Sequence, residues 1–177
     1  MAGNTLMVNR APVLTLWGAV VAERLGFDPD EALTLGKAMA GLNAQAKGRS
    51  LGIFGPLKGR GGEEPRKVGL GEEFWVDLCG RPVPAKSTSD GVRAVVKDKP
   101  IDPAGVHRYL EGKFGDALEA VQHAMRELAE AFEPEELHEA AFGLYERFRP
   151  EIAGGRRGWG QKGVLDLDLV RSLAKKR

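Results

Sequence analysis

From Pro12 to Leu25 nearly every position is apolar, with Leu14, Trp17, Val21 and Leu25 recurring at helical spacing and Val13, Leu16 and Val20 widening the stripe. The pattern predicts a helix buried over most of its surface, opened by Pro12 and stopped by Gly26. A second helix is expected from Asp28 onward. Asp28 suits the N-cap, Pro29 fits the next position, and Glu31 stands where a capping box places its carboxylate. Leu35, Met39 and Leu42 form one stripe of this helix. Ala32, Gly36 and Ala40 form another, of small residues four apart, which lets a second backbone come close. Gly48 is the expected stop.

Alternation replaces helical spacing further on. Phe74 to Cys79 reads as a strand, and Val83–Ser89 and Val92–Lys97 read as two more around Asp90-Gly91. A two-residue Asp-Gly turn predicts a hairpin pairing Ser89 with Val92. In that register Val83, Ala85, Ala94 and Val96 face a core. Lys86, Thr88, Arg93 and Lys97, with Val95 among them, form an outward basic ribbon.

Asp102-Pro103 repeats the start signal of Asp28-Pro29 and predicts a helix to about Lys113. The next helix is expected over Gly115–Phe132, on Leu118, Val121, Met125, Leu128 and Phe132. Pro134 opens another, with Leu137, Ala141, Leu144 and Phe148 on one stripe, and the short link predicts an antiparallel hairpin. After a loop, Leu165, Leu169, Val170 and Leu173 suit a terminal helix, although Leu165–Leu169 also alternates like a strand.

The expected fold is α+β, one domain over 1–177: a helical pair (1–47), a glycine-rich connector (48–73), a small antiparallel sheet with the basic hairpin (74–99), helices ending in a helical hairpin (100–150), and a basic tail (151–177). With 42% apolar and 29% charged residues the chain is globular. The run from Ala11 to Ala22 is about half a membrane span, and a single basic residue, Arg10, precedes it. No membrane contact is expected. The lone cysteine, Cys79, suits a reducing cytoplasm.

The net charge of +1 conceals segregation. Residues 34–100 hold twelve basic against seven acidic side chains, 101–150 five against eleven, and 151–177 seven against three. Such a layout speaks to partners.

Catalytic chemistry finds little support. No phosphate-binding glycine motif is present, and the Gly59–Gly62 run leads into Glu63 and Glu64, which would repel a pyrophosphate. Glu135-x-x-His138 has metal-ligand spacing, but it is the sole such pair, and the core stripe turns His123, with Glu119 and Glu127, to the solvated side of its helix. Cys79 reads as a small core residue, and Ser87, Thr88 and Ser89 as hairpin polar positions. Neither a catalytic residue nor a metal or cofactor is assigned. A cleft lined by Asp77, Arg81 and His107 would be needed to reopen an enzymatic reading.

Residues 22–32 resemble a helix-turn-helix in spacing, through Ala22, Gly26 and Ala32. The would-be reading helix begins with Asp28, Asp30 and Glu31, which phosphates repel, so a packing role fits it better. Backbone contact is the expected mode for DNA or RNA. Arg49, Lys58 and Arg60 of the connector, Lys86, Arg93 and Lys97 of the hairpin, and Arg156, Arg157, Trp159 and Lys162 of the tail are its candidate residues, with Trp159 available to stack on a base. The alternative is a non-enzymatic assembly module. Its acidic helices would meet basic segments of a second copy, and the small-residue stripe would offer a dimer surface.

Overall fold

Every residue from Pro12 to Ala22 is buried, which makes the first apolar run the spine of the fold. A computed structural model describes residues 5–48, 73–96, 99–150 and 162–175, with the backbone alone at 43–48, 73, 162 and 175. The fold is α+β. Its elements are β1 (Thr5–Asn9), α1 (Arg10–Leu25), α2 (Pro29–Gly48), β2 (Glu73–Leu78), β3 (Arg81–Thr88), β4 (Gly91–Val96), β5 (Lys99–Pro100), α3 (Pro103–Phe114), α4 (Leu118–Glu130), α5 (Pro134–Phe148), β6 (Lys162–Asp166) and α6 (Leu167–Lys175). Strands β2-β3-β4-β5 form one antiparallel sheet, and β1 pairs with β6 in a second. None of the described helices is long and apolar enough to cross a membrane.

Helix α1 packs against α2, α3, α4 and α5. Polar groups fix its orientation. The Trp17 indole N–H donates to the Ala141 carbonyl of α5 at 2.9 Å, and the ring meets Phe148 edge-on at 5.3 Å. Arg24 reaches the Phe132 carbonyl at 2.7 Å and the Ala129 carbonyl at 3.4 Å, covering the end of α4. Arg10 donates to the Pro150 carbonyl at 2.9 Å beyond α5. Bonds to a charged donor stabilise by about 1.5–3 kcal/mol each. One buried apolar cluster runs from Val8 to Leu173 and draws on both sheets and all six helices.

The small-residue stripe is used inside the chain. A methyl group on Gly36 would strike the Thr15 carbonyl and lie 2.7 Å from the Ala19 nitrogen, while one on Gly18 would lie 3.0 Å from the Gly36 Cα. The two backbones therefore cross at glycine on both helices, and the stripe is spent on α1 rather than on a second copy.

Several boundaries differ from expectation. Strand β1 was not foreseen, and its partner β6 resolves the ambiguity at the carboxyl end: residues 162–166 are strand and 167–175 helix. Cys79 belongs to a turn rather than a strand, with φ of 50° followed by 77° at Gly80, the two positive angles of a two-residue hairpin turn. In the β3–β4 hairpin Thr88 pairs with Gly91 and Ser87 with Val92, so the turn residues are Ser89 and Asp90. The Thr88 hydroxyl donates to the Gly91 carbonyl at 2.8 Å and accepts the Asp90 N–H at 3.1 Å, which holds this register. Because the register slides by two residues, every side chain keeps its expected face.

The helices after the sheet also adjust. Asp102 caps α3 by accepting the Ala104 N–H at 3.1 Å, as its sequence signal implies. A 3-10 turn over Gly115–Ala117 precedes α4. Helices α4 and α5 follow one another across a short link, yet their broad contacts are with α1, and for α4 also with α6. Contact between α4 and α5 themselves is slight, because α1 offers apolar surface to both helices.

Candidate nucleic-acid interface

The register assigns the faces of the four-stranded sheet. Phe74, Val76 and Leu78 share the inner face with Val83, Ala85 and Ala94. On the outer face stand Trp75 and Asp77 of β2, Pro82, Pro84, Lys86 and Thr88 of β3, and Gly91, Arg93 and Val95 of β4. Val83, Ala85 and Ala94 are fully buried as expected, whereas Val96, at the strand end, is 49% exposed.

Proline shapes this face. The even-numbered residues of β3 point their backbone toward β4, because Val92 and Ala94 aim theirs away from it. Pro82 and Pro84 have no N–H to donate there, and the β3–β4 ladder ends at Ala85–Ala94. Strand β4 turns instead to β5, and the Ile101 N–H donates to the Ala94 carbonyl at 2.9 Å. The exposed upper part of the face is left to Trp75, which is 40% exposed and pairs in register with Pro84. Lys86 is its diagonal neighbour two residues along β3.

Arg93 departs from the expected ribbon. It is 8% exposed, its Nη1 donates to the Val92 carbonyl at 2.9 Å, and it shares a shallow hollow with Asp28, Pro29, Asp30 and Asp90. The acidic start of α2 lies against the hairpin at this hollow, and Arg93 is packed there rather than presented to solvent. Val95 beside it is buried too.

Lys86 stays on the outer face, directly across from Arg93 in register. Lys162 begins β6 opposite Asn9, in the other sheet, with its side chain outside the described residues. Arg49, Lys58, Arg60, Lys97, Arg156, Arg157 and Trp159 also lie outside the described residues. Among the candidates with described side chains the structure therefore keeps Lys86 half-buried on the outer face, in register with Glu73, and buries Arg93.

Trp75 is not among the sequence candidates. Its signal is the alternation itself: with Phe74, Val76 and Leu78 turned inward, an intervening tryptophan must face out. The residues needed for an enzymatic cleft do not converge. Asp77 and Arg81 stand on opposite faces of the sheet, and His107 lies exposed on α3, 3.1 Å from Glu111. Cys79 is buried in its turn, and burial pushes its thiol up to about 12, which leaves no thiolate for attack at neutral pH. His123 sits on a solvated face, 3.3 Å from Glu127, and His138 is exposed. No family model, curated protein or solved structure matches the chain.

Proposed function

We propose that the protein associates with single-stranded nucleic acid through the outer face of its four-stranded sheet. The supporting observation is the exposed Trp75 ring with Lys86 diagonal to it on one rigid surface. Stacking of a base on an aromatic ring is tolerant of sequence and contributes about 1–3 kcal/mol. A neighbouring lysine meets the backbone phosphate and makes binding depend on salt. Basic residues of the connector and tail add further phosphate contacts on this reading.

The test is oligonucleotide anisotropy at several salt concentrations, with DNA and RNA strands and their duplexes. Binding to single strands should weaken about five- to hundredfold in Trp75→Ala. Lys86→Gln should reduce the log–log salt slope by about 0.7. Absence of any binding at low salt rejects the reading.

A second reading, electrostatic self-association, rests on a different observation. Residues 115–150 carry nine acidic against three basic side chains, with the glutamates of α4 and α5 on exposed positions. Light scattering across a salt series checks it, since a monomer insensitive to salt is incompatible with assembly of this kind.

A further inference from the structure

Lys37 of α2 and Tyr109 and Lys113 of α3 meet where the two helices pack together. The Lys37 Nζ lies 4.1 Å from the centre of the Tyr109 ring, and the Lys113 Nζ lies 5.9 Å from the same point. Tyr109 and Lys113 are one helical turn apart, so α3 itself sets them side by side. The ring is half-buried and packs against the apolar core.

Two ammonium groups around one ring repel each other, and among the described residues no ion pair with a carboxylate relieves them. Among the described residues neither lysine forms an ion pair, and the nearby acid of α3, Glu111, is engaged with His107. Burial, and then the charge of Lys113, hold Lys37 below the usual lysine range. Two cations at one ring, neither paired with a carboxylate among the described residues, leave a place for a negative charge at this seam. A multivalent oxyanion suits two separate point charges better than a single carboxylate does.

We infer that Lys37 and Lys113, positioned by Tyr109, bind an oxyanion of the phosphate class at the α2–α3 seam. The inference does not depend on Trp75 or on the sheet face. The phosphate group belongs either to a small phosphorylated compound or to the backbone of a nucleic-acid strand.

The experiment is an amide NMR titration of the full chain with inorganic phosphate at fixed ionic strength, with chloride as the control. Saturable shifts around 37, 109 and 113 are expected. Lys37→Gln and Lys113→Gln should each weaken phosphate about tenfold. Lys113→Arg should retain it, and Arg108→Gln, on the exposed side of α3, should leave it unchanged. Melting curves establish that each variant is folded. Shifts equal to those from chloride, or shifts that persist in the double Lys37→Gln/Lys113→Gln variant, overturn the inference. A single-stranded oligonucleotide that displaces phosphate identifies the backbone as the source. One that binds without displacing it, or does not bind at all while phosphate does, identifies a small phosphate compound. In that last outcome the seam stands and the nucleic-acid reading falls.

Discussion

The Glu31 carboxylate accepts the Val92 N–H at 2.9 Å, so a side chain of α2 occupies the place where another strand would pair with β4. Its other oxygen accepts the Asp28 N–H at 3.0 Å, the bond that a capping box requires. One turn on, the Thr34 hydroxyl accepts the Ala94 N–H at 3.0 Å and donates to the Glu31 carbonyl at 3.0 Å. The first two turns of α2 thus cover one half of the β4 edge, and β5 covers the other.

Glu31→Ala should lower stability by about 2–3 kcal/mol, because it leaves two backbone donors without acceptors. Thr34→Val, at a fully buried position, should cost about 1–2 kcal/mol. Glu31→Gln should fall between wild type and Glu31→Ala, since its one amide oxygen can serve a single donor. Urea unfolding measures all three. The double Glu31→Ala/Thr34→Val variant should also aggregate on heating, its strand edge being open.

Gly36→Ala should destabilise by at least about 1–3 kcal/mol, because the added methyl meets the backbone of α1. Gly18→Ala should cost less, as the nearest atom is the flexible end of Met39 at 2.5 Å. Gly41→Ala has nothing within 4 Å and should stabilise by about 0.5–1 kcal/mol. Thermal melts that rank the three otherwise would refute the crossing at Gly18 and Gly36.

Arg93 and Lys86 should separate cleanly in experiment, although both are basic residues of one hairpin. Arg93→Gln should lower stability by about 1–2 kcal/mol, since it removes a buried side chain and its charged hydrogen bond to the Val92 carbonyl. It should leave the salt dependence of oligonucleotide binding unchanged. Lys86→Gln should change that dependence. Melting curves and anisotropy on the same samples decide the matter.

Cys79 should make stability fall at alkaline pH. Burial raises its thiol from 9.0 to about 12 in the folded chain. The folded state therefore holds a proton that the unfolded state has released. The stabilisation is complete below pH 9 and is lost as the pH climbs toward 12. Denaturation of wild type and Cys79→Ala across this range should show wild type losing stability faster. Iodoacetamide at pH 9 should leave the folded thiol unmodified.

Much of the helical framework was legible because its signals are local. The Asp28-Pro29 and Asp102-Pro103 starts, the stop at Gly26 and the stripe of α5 each occupy a few consecutive residues, and the structure uses them as read. The faces of the hairpin were legible too, since alternation survives a slide of two residues. Strand β1 was not. Thr5 to Asn9 is a strand because Lys162 to Asp166 lies beside it, and nothing within five residues announces a partner more than 150 positions away.

The sequence by itself determined the buried first helix, the capped helices after it, the alternating strands and the separation of charge along the chain. Each follows from spacing and capping chemistry between near neighbours. Tertiary structure alone decided which basic residues meet solvent: it buried Arg93 beside the acidic start of α2 and brought Lys37 to Tyr109 and Lys113. The physical reason is that an electric field depends on distance in space. Residues 28 and 93, or 37 and 113, acquire a common environment only when packing brings them together.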